Sequence, residues 1–395
     1  MIRLPTSLRP RRDGWGRGFR AFPGLLAASA VWLGAAACGG PPPELRIGLL
    51  ATFAGPFAEV SGVPTREGAQ LAVREAGGQI EVGGRRYRII LVERGFEDRA
   101  DAAAGAARAL INQERVVALI GPQFSRNAIP AAVMAENAGI PMISPMSSNP
   151  ATTAGRRFVF RLAFLDDVQA PVLARFARDT LHARTGAVLF DISGPYSREL
   201  AEGFRRAFEA AGGRVTAFES FTADRKDDVG AQLARIAAAR PDVVFLPIYS
   251  DALSHQVPLL QRLGIRSHLL GSDSWDPRSV PRLLEDQRAF MTAQWRPDLP
   301  SAEAVRFRAD YHATFGTEPR ATAALTYDAT RILLEALRRA GSTGAERLRD
   351  AIAATDDYQG ASGTISFRGR TDPGRQVSIA ELRDGALVTV ALAGP

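Results

Sequence analysis

The 395 residues include one cysteine, one lysine and four histidines, so the side chains that most often carry covalent or metal chemistry are nearly missing. The lone Cys38 excludes a disulfide framework and any multi-thiolate metal cluster. Lys226 is the sole lysine, which leaves Schiff-base or lysine-phosphate chemistry a single, poorly placed candidate. His182, His255, His268 and His312 lie far apart with none at ligand spacing to another, so packing or surface roles are expected and no metal. The phosphate loop Gly-x-x-x-x-Gly-Lys, the nucleophile elbow Gly-x-Ser-x-Gly and the zinc motif His-Glu-x-x-His are all absent. No cofactor and no covalent catalysis are expected. The alternative is an enzyme whose site carries no known signature. Repeats of 20 to 50 residues, heptad arrays and low-complexity tracts are missing as well.

What is present is an ordinary balance, 46% hydrophobic and 23% charged, enough for two α/β domains that each bury a core. A formal charge of +7 suggests a nucleic-acid partner until it is located. Arg3, Arg9, Arg11, Arg12, Arg17 and Arg20, against Asp13 alone, concentrate the excess in the first 37 residues. The remainder is nearly neutral, so phosphate attraction does not organise it and nucleic acid is not expected as a partner.

After that basic stretch, residues 24–37 form an apolar run shorter than the about 20 residues a membrane-spanning helix requires, the pattern of a signal peptide. Cys38 follows Ala35-Ala36-Ala37 and precedes Gly39-Gly40-Pro41-Pro42-Pro43, a tether able to hold a folded body off a surface. This resembles a bacterial lipoprotein signal, in which the cysteine is lipidated and becomes the N-terminus. Ala35 stands where that family usually has leucine. An ordinary secretory signal with an incidental cysteine is the alternative, and Arg11-Arg12 is followed too poorly by Asp13-Gly14-Trp15 to favour twin-arginine export. Each route leads out of the cytoplasm.

From residue 44 short aliphatic runs alternate with alanine-rich amphipathic stretches, which points to βαβ units and parallel sheets. Strands are expected at 45–50, 88–92, 116–120, 141–144, 187–191, 214–218, 243–247, 268–271, 364–367, 377–382 and 387–392. The last two are joined by the turn pair Asp384-Gly385. Helices are expected at 62–76, 98–113, 125–137, 167–182, 197–211, 227–239, 251–263, 301–315, 321–340 and 344–354. In open parallel sheets ligands sit beyond the carboxyl ends of strands, where helix N-termini favour anions. Two loops fit that description. Gly121-Pro122-Gln123-Phe124-Ser125 ends in a hydroxyl, and Pro145-Met146-Ser147-Ser148-Asn149-Pro150 is rich in hydroxyls, so a small carboxylate fits between them. Plain N-capping by Ser125 and in the second loop explains both equally well.

The chain resembles the Leu/Ile/Val-binding family of type I periplasmic binding proteins, the extracytoplasmic subunits of branched-chain amino-acid ABC transporters. The resemblance rests on Ile47-Gly48-Leu49-Leu50, Thr52-Phe53-Ala54-Gly55-Pro56, Gly68-Ala69-Gln70-Leu71-Ala72-Val73, Ile120-Gly121-Pro122, the run 138–145, Asn149-Pro150, Pro241-Asp242-Val243-Val244, Leu269-Leu270-Gly271-Ser272-Asp273 and Tyr327-Asp328-Ala329. It implies an α/β fold of two Rossmann-like lobes joined by three hinge crossovers, near 164–167, 294–298 and 367–374. Residues 1–37 are then a signal peptide and 38–43 the tether. Residues 44–165 with 297–368 form lobe 1, and 166–296 with 369–395 form lobe 2.

The resemblance further assigns an amino-acid carboxylate to Ser125 and Ser148. It assigns the ammonium to the Met146 carbonyl, Ser148 and Asp273, with Ser147 beside them. Tyr196 and Tyr249 are the covering tyrosines of the second lobe, or else half-buried sheet-edge aromatics. Phe57 and Phe124 line the side-chain pocket, although position points to Val60 for the first-lobe aromatic. Leucine binders of the family commonly carry glutamate where Asp273 stands. Trp275 either closes over the ligand or plugs the joint. Arg126 either reaches a second anion or is a solvated helix-start arginine. The function implied is capture of a small amino acid or related compound by hinge closure and delivery to an ABC permease. The protein is expected to be a monomer, periplasmic or at the cell surface, and lipid-anchored through Cys38. The alternative is a regulatory lipoprotein of the same fold that senses a ligand and acts on a partner protein, in the manner of amide sensors or cell-wall-synthase activators.

Overall fold

Parallel strands buried on both faces read as unbroken apolar runs, and the runs ALI, MIS and VVFL become three of the innermost strands. The structure, a computed structural model, describes residues 41–284, 287–383 and 386–394. The leader, Cys38 and the turn pair Asp384-Gly385 lie outside the described residues. Residues 42–395 form one body.

Six strands make the first sheet: β1 (Glu44–Leu50), β2 (Gln79–Val82), β3 (Arg85–Arg94), β4 (Ala118–Ile120), β5 (Met142–Ser144) and β6 (Val159–Arg161). Their order is β2-β3-β1-β4-β5-β6, parallel except for the hairpin β2-β3. The second sheet holds β7 (Thr185–Asp191), β8 (Arg214–Phe221), β9 (Val243–Leu246), β10 (His268–Gly271) and β11 (Ala289–Ala293). A small hairpin, β12 (Tyr358–Gly360) with β13 (Gly363–Ile365), stands apart. Strands β14 (Val377–Arg383) and β15 (Ala386–Ala393) then join the second sheet antiparallel, giving the order β15-β14-β11-β10-β9-β7-β8.

Alternation of side chains sorts each sheet into two cores. Leu45, Ile47, Leu49, Ile120, Ile143 and Phe160 pack under the helices Val63–Glu75 and Ala321–Ala340. On the opposite face Leu119, Met142 and Val159 meet the helices Ala100–Asn112 and Ser125–Ala138. In the second sheet Val188, Phe190 and Phe245 face the helices Asp166–Asp179 and Pro195–Ala210. Ala187, Leu189, Val244 and Leu246 face Gly230–Ala239 and Ser250–Arg262.

Four strands escaped the sequence reading: β2, β6, β11 and β12. Three of them span three or four residues, too short to show a period, and β6 ends in an arginine that reads as surface.

Asp328 explains one of the markers read in the sequence. Fully buried on the helix Ala321–Ala340, it accepts hydrogen bonds from the backbone N–H of Ala361 (2.8 Å) and Ser362 (2.8 Å) and from the Ser362 hydroxyl (2.6 Å). It therefore clamps the β12-β13 hairpin to the first-sheet core. A Cβ at Gly360 would lie 2.6 Å from Asp328 Oδ2, so only glycine admits the clamp. Burial raises the Asp328 carboxyl from 3.8 to about 6. The folded form thus holds this proton more tightly than the unfolded chain, and the stability linked to it is present below pH 3.8 and lost as pH rises through about 6. Asp328→Ala strands two buried N–H groups, and urea denaturation should show a loss of about 2–4 kcal/mol. A loss below about 0.5 kcal/mol would mean that the hairpin is held by other contacts.

Candidate functional site

In both sheets the strand order reverses around the first strand, so a crevice opens beyond the carboxyl ends of β1 and β4 and another beyond those of β7 and β9. Most side chains of the site stand at the carboxyl ends of strands, in the loops there or in the first turn of the helix that follows, while Thr322 comes from the start of the helix Ala321–Ala340.

On the first sheet, the chain leaves β4 through Gly121, whose φ of 90° and whose position suit glycine alone, since a Cβ would lie 2.1 Å from the Leu50 carbonyl oxygen. Ser125 then opens the helix Ser125–Ala138. It does not cap it, because Phe124 occupies the N-cap position and no side-chain cap bond forms. The Ser125 Oγ instead accepts from the Ser147 hydroxyl (3.0 Å) and the Asn149 N–H (3.3 Å). In the second loop Asn149 caps a short turn, Pro150–Thr152, its Oδ1 accepting from the Ala151 N–H at 3.0 Å. Arg161, at the end of β6 and fully buried, reaches under this loop. It donates to the carbonyls of Ser147 (3.0 Å), Asn149 (2.8 Å) and Pro150 (3.3 Å) and pairs with Asp372 at 2.6 Å. A buried guanidinium thus fixes the loop that carries Ser148.

On the second sheet, Tyr196 stands in the first turn of the helix Pro195–Ala210 that follows β7, Tyr249 in the loop after β9 and Asp273 in the loop after β10. Asp273 accepts from the Tyr196 hydroxyl (2.6 Å), Gln294 Nε2 (2.8 Å) and Gln169 Nε2 (3.1 Å). Both amides are oriented by their oxygens: Gln294 Oε1 accepts from the Phe164 N–H (3.0 Å), and Gln169 Oε1 accepts from the Thr292 hydroxyl (2.7 Å). Burial pushes the Asp273 carboxyl up, and these donors oppose it. Burial likewise keeps Tyr196 well above the usual phenol range, with the Asp273 charge adding to the effect.

Ser125, Met146, Ser148, Phe124, Tyr196, Tyr249 and Asp273 line one cavity of about 40 Å³, together with Gln123, Ser274 and Thr322. The tyrosines stack, ring centroids 5.3 Å apart, so they are wall rather than stray edge aromatics. Asp273 also borders a larger cavity of about 330 Å³ that runs past Trp295 and Arg320, away from the two serines. Hydroxyls on one side and an acid with two phenols on the other supply the polar groups a small dipolar molecule requires, and at about 40 Å³ the space must widen to admit one.

Two of the expected residues stand elsewhere. Ser147 lies behind the wall, its hydroxyl spent on Ser125 and on Thr152 (2.7 Å). Phe57 packs edge-on to Phe124 at 5.1 Å and borders a neighbouring cavity of about 240 Å³. Val60 is bound through its carbonyl to the Thr322 hydroxyl at 3.1 Å. Neither reading of Arg126 holds. Its guanidinium forms a two-armed pair with Asp98 (2.9 and 2.6 Å) and lies 4.3 Å from the Tyr249 ring centroid. Trp275 is buried in the second sheet's core, its indole N–H donating to the Leu246 carbonyl at 3.0 Å, so it packs that core and does not close over the cavity. Its neighbour Asp276 pairs with Arg320 at 2.5 Å.

The sequence reading missed Gln123, Asp166, Gln169 and Gln294. Asp166 and Gln294 fall inside expected crossovers, and Asp166 and Gln169 are spaced i, i+3 at a helix start, which puts both on one face. That spacing was the available signal.

Over residues 44–386 the chain matches the family described as periplasmic binding protein. A leucine-, isoleucine-, valine-, threonine- and alanine-binding protein of Pseudomonas aeruginosa is 23% identical over 360 residues, 90% of this chain and 94% of the relative. The crystal structure of a leucine binding protein, LivK, from Thermotoga maritima superposes with a TM-score of 0.81 at 30% identity, covering 89% of this chain and 99% of that one. The branched-chain amino-acid transporter substrate-binding protein LivJ of Streptococcus pneumoniae, in complex with isoleucine, gives 0.80 at 25% identity, covering 89% and 100%.

Proposed function

Since the chain belongs to the periplasmic binding protein family, a family of solute-binding proteins located outside the cytoplasm, we propose that it captures a small amino acid and delivers it to an ABC permease. The observation that carries this reading is the shared cavity, where Ser125 and Ser148 stand across from Asp273. The hydroxyls receive the ligand carboxylate, and Asp273 with the Met146 carbonyl receives the ammonium. A charge taken from water unpaired costs several kcal/mol, so an ammonium needs the acid and the acid needs the ammonium. Residues 44–165 with 297–368 act as one lobe and 166–296 with 369–395 as the other. The ligand favours the closed arrangement by as much as its affinity for that state exceeds its affinity for the open one. Among the described residues no helix is long and apolar enough to cross a membrane. Lipid attachment through Cys38 is part of this proposal and rests on the sequence pattern of residues 24–43. The test is calorimetric titration of the purified protein with amino acids, amides and aromatic acids. Saturable binding of an amino acid supports the reading, and binding confined to acids without an amine overturns it.

A further inference from the structure

Asp166 opens the helix Asp166–Asp179 and is fully buried. A single nitrogen, Gln169 Nε2, donates to Asp166 Oδ1 at 2.9 Å and to Asp273 Oδ1 at 3.1 Å, so two carboxyls converge on one amide. The Asp166 backbone N–H donates at 3.0 Å to the carbonyl of Ser148, whose residue lines the cavity. Asp166 Oδ2 is buried with no well-formed hydrogen bond among the described residues, and the Ser148 hydroxyl is a nearby group that favours its charged form.

The charged and titratable groups around the pair leave it short of positive charge. Arg161 approaches from β6, but its guanidinium is already paired with Asp372. Asp167, on the same helix, adds a further negative charge near Arg161. Tyr196 and Tyr249 face the pair from the second-sheet loops, and both are kept protonated by burial. Gln169 and Gln294 are neutral. Two carboxylates out of water and this close to each other do not both ionise. Burial pushes both carboxyls up, Asp166 well above the ordinary range, and for Asp166 the Asp273 charge is the next cause.

We propose that Asp166 and Asp273 form a pair that carries one proton while the cavity is empty, and that a ligand ammonium seated against Asp273 displaces this proton to solvent. Asp166 is a positioning residue one layer behind the cavity. The exchange balances: one cation enters, one proton leaves, and the ligand keeps its charge. The proposal rests on the amino-acid reading and narrows it, because the site then selects cationic amines and holds them more tightly as pH rises. For one proton the gain is up to about tenfold per pH unit across the range in which the pair titrates.

The test is calorimetric titration of the full-length protein with L-alanine and L-leucine, in phosphate and in Tris, between pH about 5 and 8. The difference in heat between the two buffers counts the protons released. About one proton per bound amino acid is expected where the empty pair still holds its proton, with a release that vanishes in Asp166→Asn together with the pH slope of affinity. Binding without proton release in the wild-type protein overturns the proposal and leaves the amino-acid reading standing. Unchanged release from Asp166→Asn overturns it too. Should that variant fail to fold, the wild-type comparison of buffers decides alone. If neither of these binds the wild-type protein, the two-buffer comparison is made with whichever amino acid the broader titration finds, and both readings fall only if no amino acid binds.

Discussion

Asp273→Ala should weaken amino-acid binding about a hundredfold, or about 2.7 kcal/mol, with the protein still folded. Two losses combine in that figure. The ligand ammonium is left in a buried cavity without its counter-charge, and the Tyr196 hydroxyl and the amides of Gln169 and Gln294 lose their common acceptor. Calorimetry on the variant measures the effect, with circular dichroism melting to establish folding. Asp273→Asn keeps the shape and an acceptor oxygen, so it should fall between wild type and alanine. An alanine variant that binds as tightly as wild type would remove Asp273 from the site.

Arg161→Met should cost about 3–5 kcal/mol of stability. Methionine fills part of the volume, but it leaves the carbonyls of Ser147, Asn149 and Pro150 without their shared donor and Asp372 without its ion pair. The loop that presents Ser148 then loses its support, so affinity should drop alongside stability. Urea denaturation gives the first quantity and calorimetric titration the second. Full affinity in the variant would show that the loop holds its shape without the guanidinium.

Much of the architecture was legible because its signals are local. Short aliphatic runs marked β4, β5 and β9 as strands of parallel sheets, and the helix Ala321–Ala340 matches its expected bounds. The loops after strands were recognisable as ligand-facing because strand ends carry the helix N-termini. Resemblance to a family pointed to Asp273, Tyr196 and Tyr249, and these three line one wall. The errors came where one residue type had two roles open to it. Ser125 had both capping and ligand binding open to it; it does not cap, and its hydroxyl turns to Ser147 and Asn149. Arg126 read as solvated or as an anion ligand, yet Asp98 and three aromatic rings enclose it. Asp166 fell in an expected crossover and Gln169 in the helix expected after it, yet Gln169 meets an acid 104 positions away.

The amino-acid sequence alone determined where the helices and most of the strands run, that the chain alternates them into parallel sheets, and that lysine, cysteine and histidine chemistry has almost nothing to work with. Those properties depend on neighbours within a few positions, so periodicity and composition carry them. Only the tertiary structure decided which hydroxyls face the cavity, that Arg161 holds a loop from beneath, and that two carboxyls share one amide nitrogen. Hydrogen bonds and charge repulsion act over a few ångströms in space, and the groups they join are brought together only when distant stretches of chain fold against each other.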